Sequence, residues 1–143
     1  MNKSTEYDLT AAASGVYVAP HALDALRAAA AAAGVAWCEL DLTGVTANRE
    51  FLARCAAALK FPDDFGQNWD ALADYVEDLS WQPEAGVILH WRGGGEFARR
   101  ARNDLSTALE IFTAAANYWQ ERSRRLLVLL DAPSRGGHPL PPL

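Results

Sequence analysis

The sequence predicts an α/β protein: a small, mostly parallel β-sheet covered by helices. Short apolar runs typical of strands alternate along the chain with longer segments that have helical periodicity. Two of the runs are almost unbroken in their apolar part, which is typical of strands covered on both faces: Gly86 to Arg92 and Arg124 to Asp131. With 143 residues, 50% of them apolar, the chain is long enough for one domain with a real core.

The first predicted elements are a strand, a helix and a second strand. Gly15 to Ala19 is β-prone and stops at Pro20. His21 to Gly34 is rich in strong helix formers and ends on a glycine, the residue that favours a helix C-terminus. Val35 to Leu42 follows at once and predicts a strand. We expect Gly15 to Leu42 to be a βαβ unit whose two strands pair in parallel.

Further helices are predicted later in the chain. The first runs from Asn48 to Leu59, and the residue before Pro62 cannot continue it. Its packed side is formed by Phe51, Leu52, Cys55 and Leu59. Helical sequence also covers Glu96 to Arg102 and Leu105 to about Arg122. The last residues, 132–143, are so rich in proline and glycine that we expect a flexible tail.

Negative charge is concentrated in one segment. The net charge is −5, yet residues 61–91 contain seven carboxylates and no lysine or arginine, against 13 basic and 11 acidic residues elsewhere. A partner attracted by this segment should be basic, and the phosphates of a nucleic acid should be repelled from it. We therefore expect a basic protein partner and no direct contact with nucleic acid.

This acidic segment contains a predicted amphipathic helix from Asn68 to Leu79. An advance of about 100° per residue places an apolar stripe on one side. The stripe consists of Trp69, Leu72, Val76 and Leu79. The carboxylates lie on nearly the opposite side, and we call them the acidic face: Asp70, Asp74, Glu77 and Asp78. Like charges four residues apart repel, so the pattern indicates either a binding face or a merely solvated one, and the residues alone leave both open.

The loop before this helix also has notable residues. Asp63 and Asp64 extend the negative charge. Gly66 suggests a position that needs backbone freedom, and Asn68 could cap the helix N-terminus.

Other residues indicate no catalytic or cofactor site. Gly93 to Gly95 lacks the spacing of a phosphate-binding loop and is interpreted as a turn. The three histidines are scattered, and structural or surface roles are favoured for them: His21, His90 and His138. The arginines near residues 100 and 123 are interpreted as helix-end and surface charges rather than as a basic patch, because no aromatic residues are interleaved with them. The carboxylates of the acidic helix could in principle share a divalent cation, which would make a metal-dependent enzyme the least favoured alternative.

The sequence also bears on location. Cys38 and Cys55 fit no disulfide framework or metal spacing and are expected to be buried and inert. The N-terminus is polar, and the alanine-rich run near residue 30 is too short to span a bilayer. We expect a cytoplasmic protein that does not bind a membrane.

The segment Phe61 to Val76 reads FPDDFGQNWDALADYV, with a proline and then aromatic-Gly-x-Asn-x-Asp-Ala-Leu-x-Asp. It resembles the signature of the barstar family, small cytoplasmic inhibitors of secreted ribonucleases. The similarity extends over residues 35–131, because the predicted order of strands and helices there is that of the family. The resemblance implies a barstar-like domain over 35–131. Residues 1–34 would be an added βα unit packed on the same domain, and 132–143 the tail.

The resemblance also implies roles for single residues in a protein that is not an enzyme and needs no cofactor. The signature loop and helix would block the active site of a ribonuclease. Asp74 matches the carboxylate that takes the place of the RNA phosphate, and Asp70 matches an acidic neighbour that pairs with a basic group at the rim. Gly66 and Asn68 match the loop that shapes the approach. The remaining charges would speed association: Asp64, Glu77 and Asp78.

The chain differs from the family pattern at three places. Asp64 replaces an aromatic residue in the loop, and Ala73 replaces a tryptophan just before the key carboxylate. A glutamate on a later helix has no equivalent in Phe112 to Asn117. These differences favour a partner other than the one that the prototype inhibits, such as a diverged ribonuclease toxin. A module that binds another basic protein through the same acidic face is the alternative.

Overall fold

The computed structural model describes residues 13–21, 23–131 and 140–143. Within these ranges the strands are β1 (Gly15–Val18), β2 (Ala36–Asp41), β3 (Gly86–Arg92) and β4 (Arg125–Leu130). The helices are α1 (Leu23–Ala33), α2 (Asn48–Leu59), α3 (Trp69–Asp78), α4 (Gly95–Arg100) and α5 (Arg102–Glu121). The predicted order of elements is confirmed, and α2 has the predicted bounds. Gly34 ends α1 with φ +74°, the left-handed conformation that a C-terminal glycine provides.

The strands form one parallel sheet in the order β1-β4-β3-β2. The predicted α/β class is thus confirmed, but the direct pairing of β1 with β2 was wrong. β1 lies beside β4, and β2 lies at the opposite edge. The reason is burial: β3 and β4 are apolar on both faces and take the centre, whereas β2 carries Glu39 and Asp41 and is better placed at an edge.

Each face of the sheet has its own core. The larger core lies under α2, α3, α4 and α5, and its largest fully buried side chains are Phe51, Phe97 and Phe112. The second core contains Leu26 and Ala30 of α1, which pack with Ile88, Leu127 and Leu129. Alternation along β4 divides its side chains between the two cores. α1 and α3 therefore lie on opposite faces of the sheet.

The last four residues lie along the outer edge of β1. Val18 donates its backbone N–H to the Pro141 carbonyl at 2.8 Å, and Leu143 donates to the Val18 carbonyl at 3.3 Å. We expected a flexible tail over 132–143. Residues 132–139 lie outside the described part, so the flexibility of the tail stays a prediction; the Pro141 carbonyl accepts a bond from the edge strand β1.

The glycines after β3 make a tight turn, as predicted. Gly93 has φ +71°, and a Cβ there would lie 2.5 Å from Thr43 Oγ1. Gly95 already belongs to α4.

Cys38 and Cys55 are both free and buried, and burial raises the pKa of each thiol.

In the described ranges, none of the helices combines the length and the apolar character that crossing a bilayer would need.

Candidate functional site

α3 is fixed at both ends and along one side. Asn68 caps its N-terminus as predicted, since the side-chain oxygen accepts the Ala71 N–H at 2.8 Å. Leu79 closes the other end in a left-handed conformation, with φ 43°. The predicted apolar stripe is confirmed: Leu72, Val76 and Leu79 are buried, and Trp69 packs on the larger core. The helix therefore cannot rotate to hide its polar side.

The acidic face points away from the core. Asp70, Asp74 and Asp78 are exposed, and Glu77 is half-buried. Among the described residues, none of the ion pairs involves these four side chains. The sequence left open whether the chain's own arginines pair with this surface, and in the described part none forms an ion pair with it. The negative field is therefore available to a partner.

The loop before α3 is tied to the helix by Asp64. The Tyr75 hydroxyl donates a hydrogen bond to Asp64 Oδ1 at 2.5 Å. This bond, with the nearby charges of Asp64, Asp78 and Asp74, raises the pKa of Tyr75 above its ordinary value of 10.0. Asp64 is thus exposed but held, and its charge lies beside the acidic face.

Four aromatic side chains form a shelf next to the acidic face: Phe61, Phe65, Tyr75 and Trp81. The rings of Phe61 and Phe65 meet edge to face with centroids 4.8 Å apart, and both lie 5.3 Å from the ring of Tyr75. All four residues are half-buried. Because Asp64 and Ala73 lack the aromatic rings of the family pattern, the shelf supplies apolar surface that those two positions do not.

Gly66 differs from the sequence expectation. Its φ is not positive, and the left-handed residue in this loop is its neighbour Gln67, with φ 53°. A Cβ at Gly66 would make only ordinary contacts, 3.4 Å from Asn68 Nδ2 and 3.7 Å from Ala71 Cβ. Gly66 is exposed in the loop. Because it has no side chain, it leaves the surface beside α3 open.

The remaining predicted positions are on α3 and α5. Ala73 is half-buried on α3. In the α5 stretch without a glutamate, the exposed positions are Thr113, Ala114 and Asn117. This stretch of α5 therefore contributes no charge.

A metal site is not found here. Within the ranges that the structure describes, no group of three or more His, Cys, Asp and Glu side chains is arranged to hold an ion. His90 is buried, and its two ring nitrogens lie 2.9 Å from Glu39 Oε2 and 2.6 Å from Asp131 Oδ1, as befits a structural histidine. His21 is exposed, and His138 lies outside the described residues.

Sequence reasoning missed the side chains that hold α3 from behind. Trp119 Nε1 donates to the Val76 carbonyl at 2.8 Å, and the guanidinium of Arg124 lies against the segment after Leu79. Arg124, interpreted as a helix-end or surface charge, is partly exposed and binds a carbonyl at the C-terminal end of α3. The one sequence signal was Trp119 near the end of the amphipathic helix α5. Its partner Val76 could not be predicted, because the two residues are 43 apart in sequence.

Comparison with known proteins identifies the family. A family model described as Barstar (barnase inhibitor) matches residues 35–131, which is more than half of the chain. A comparison with curated proteins gave no match. The four-stranded parallel sheet and its helices are consistent with a barstar-like fold. The chain therefore belongs to the barstar family.

Proposed function

We propose that this protein inhibits a ribonuclease by placing the acidic face of α3 in the active site, where the carboxylates stand in for RNA phosphate. One observation supports it most: Asp70 and Asp74 are exposed one helical turn apart, without an ion pair in the described residues, on a helix fixed from behind. A rigid, unpaired carboxylate loses little on meeting the cations that normally bind phosphate.

Each residue has a proposed task. Asp74 occupies the phosphate position, and Asp70 pairs with a basic group at its rim. Glu77, Asp78 and Asp64 raise the association rate more than the final affinity, because exposed rim charges act mainly by steering. Gly66, Asn68 and Ala73 leave room for the partner on either side of the carboxylates.

Binding of a different basic protein through the same surface is the second candidate. It is favoured by Asp64 and Ala73, which replace the aromatic residues of the family pattern, and by the neutral residues exposed on α5. Aromatic side chains dominate many interfaces, so their loss at these two positions changes which partner fits best.

Cytoplasmic location is part of the proposal. It is supported by the two buried free thiols, which suit a reducing compartment. A cell that exports a ribonuclease needs its inhibitor on the inside.

The test is RNA cleavage by a panel of barnase-type ribonucleases, measured while the protein is titrated in. We expect stoichiometric loss of cleavage with one or more of them. Asp74→Ala should weaken the complex by at least about thirtyfold, the loss typical of a dominant interface residue. Asp24→Ala is the matched control, since Asp24 is an exposed aspartate on α1 at the opposite face of the sheet.

The outcomes separate the two candidates. A complex that leaves cleavage unchanged favours the general binding module. Unchanged inhibition by Asp74→Ala would contradict the role of Asp74, and absence of any complex across the panel would contradict inhibition of this ribonuclease class.

A further inference from the structure

We propose that Arg124, which lies outside the acidic face, is a positioning residue for it. Its guanidinium holds the C-terminal end of α3 and the segment that follows, and thereby keeps Asp74 and Asp78 in the arrangement that the partner meets. This inference rests on the proposed function and adds a residue that the binding surface itself does not contain.

The contacts of Arg124 converge on backbone carbonyls. Nη2 lies 2.8 Å from the Leu79 oxygen, 3.1 Å from the Gln82 oxygen and 2.9 Å from the Pro83 oxygen, and Nε lies 3.3 Å from that of Pro83. Nη2 shares its two hydrogens among three oxygens while Nε donates to Pro83, and the planar guanidinium fixes both nitrogens together, so one side chain holds the end of the helix and the turn after it. A lysine has no such geometry.

The same side chain is held in place by the ring that holds α3. The Arg124 guanidinium carbon lies 4.3 Å from the centre of the Trp119 ring, and Trp119 Nε1 donates to the Val76 carbonyl. Stacking on the ring orients the guanidinium. Val76 in the last turn of α3 and Leu79 at its C-cap are therefore held by two residues that contact each other.

α3 needs a cation at this end more than an ordinary helix does. A helix C-terminus favours positive charge, but the last turn of α3 has none and ends with Glu77 and Asp78. Arg124, the residue just before β4, supplies the positive charge. Burial lowers the pKa of Arg124, while the nearby carboxylates of Glu84 and Asp78 act in the opposite direction and favour the charged form.

Ser14, which lies before the family match, helps to hold Arg124 in place. Ser14 Oγ donates to the Arg124 carbonyl at 3.1 Å and accepts the Leu126 N–H at 3.0 Å, and Ser14 is itself buried. The backbone of Arg124 is thus fixed from one side and its guanidinium from the other. This gives residues before the family match a part in holding the acidic face.

The test compares Arg124→Ala and Arg124→Lys with Arg122→Ala, at a temperature where circular dichroism shows every variant folded. Arg122 is the matched control, because it stacks on Tyr118 of its own helix and contacts no part of α3 in the described structure. Two rates are measured: dissociation of the complex with the inhibited ribonuclease, and amide hydrogen exchange in the last turn of α3 in the free protein.

We expect both Arg124 variants to dissociate about tenfold faster and to exchange those amides about tenfold faster, with Arg122→Ala unchanged. The direction of the change in affinity distinguishes a positioning role from an electrostatic one. A purely electrostatic role predicts tighter binding for Arg124→Ala, since a positive charge that repels the basic partner is removed, and no change for Arg124→Lys. Tighter binding, unchanged dissociation or unchanged exchange would each overturn the inference. If the wild-type protein bound no ribonuclease, the proposed function itself would fall and this inference with it, even where exchange responded as expected.

Discussion

The protein contains two groups of carboxylates that are treated in opposite ways. One is the acidic face of α3. The other lies where β2, β3 and β4 end, and we call it the paired cluster: Glu39, Asp41 and Asp131 with Arg27, Arg92 and His90. Arg92 Nε lies 3.0 Å from Glu39 Oε1, and Trp37 Nε1 donates to Glu39 Oε2 at 2.6 Å. The same chain thus pairs one set of acids with its own residues and, in the described part, leaves the other without an ion pair.

The contrast between the acidic face and the paired cluster shows how a binding face can be recognised without its partner. The paired cluster surrounds the buried ring of His90, and each of its partly exposed carboxylates meets a basic side chain or that ring. The acidic face lies on the solvent side of α3, where repulsion between neighbouring carboxylates is screened and costs little. The carboxylates that stabilise the fold are paired with basic side chains. Carboxylates that repel one another and remain unpaired destabilise the fold slightly, which indicates a role in binding.

The largest effect on stability is expected at the centre of the paired cluster. His90→Gln removes an imidazole that bridges Glu39 and Asp131, and a glutamine cannot reach both. We expect the free energy of unfolding to fall by about 2 kcal/mol, since the close contacts of a buried ring with two partly exposed carboxylates are lost. Urea unfolding measures it.

The control is His21→Gln, because His21 is exposed at the start of α1. Its effect should stay within about 0.5 kcal/mol. Folded His90→Gln protein should inhibit the ribonuclease as well as the wild type does. A fall in its affinity for the ribonuclease would show that the paired cluster and the acidic face are not independent. A loss of stability no larger than that of His21→Gln would show that the paired cluster does not contribute as described.

How much the sequence could predict also differs between the two groups. The acidic face was readable because it is local: helical periodicity places Asp70 and Asp74 on one side and Leu72 and Val76 on the other. The cap at Asn68 was readable for the same reason.

The paired cluster was not readable, because His90 lies 51 residues from Glu39 and 41 from Asp131, and the three meet only through strand order. That order was mispredicted at β1, since a local pattern shows that a strand exists but not which strand lies beside it. The contact of Arg124 with α3 depends on the same tertiary information.

The second effect is a dependence of stability on acid pH. Burial alone would raise the pKa of Glu39, but hydrogen bonds with Trp37 and His90 and the field of Arg92 outweigh it and hold the pKa below its ordinary value of 4.5. The unfolded chain therefore binds a proton more readily than the native protein. The contribution of Glu39 is complete above its unfolded pKa and is lost as the pH falls through its lower folded value.

Glu39→Gln should therefore lose less stability than the wild type between pH 7 and the acid range, although it starts from a lower value at neutral pH. The measurement is urea unfolding at a series of pH values. Glu110→Gln serves as the control, because Glu110 is exposed on α5 and should leave the slope unchanged. Equal slopes for the wild type and Glu39→Gln would refute the pairing of Glu39.

The smallest effect has the opposite sign and tests the acidic face itself. Asp74 has a like charge four residues away on each side, Asp70 and Asp78, and no ion pair in the described residues. Asp74→Asn keeps the size of the side chain and changes helix propensity little, so it removes two repulsive pairs and should raise the free energy of unfolding by about 0.5 kcal/mol.

The matched variant is Glu96→Gln on α4, where Arg99 and Arg100 lie 3.1 and 2.9 Å from the carboxylate. There the same neutralisation should lower stability by about 0.5 kcal/mol, because it removes attractive pairs. Opposite signs for the two variants, measured by urea unfolding in low salt and converging in high salt, would show that α3 is more stable without the charge it presents. If Asp74→Asn instead destabilised the protein, Asp74 would have a partner within its own chain, and a carboxylate committed in that way could not take the place of a phosphate.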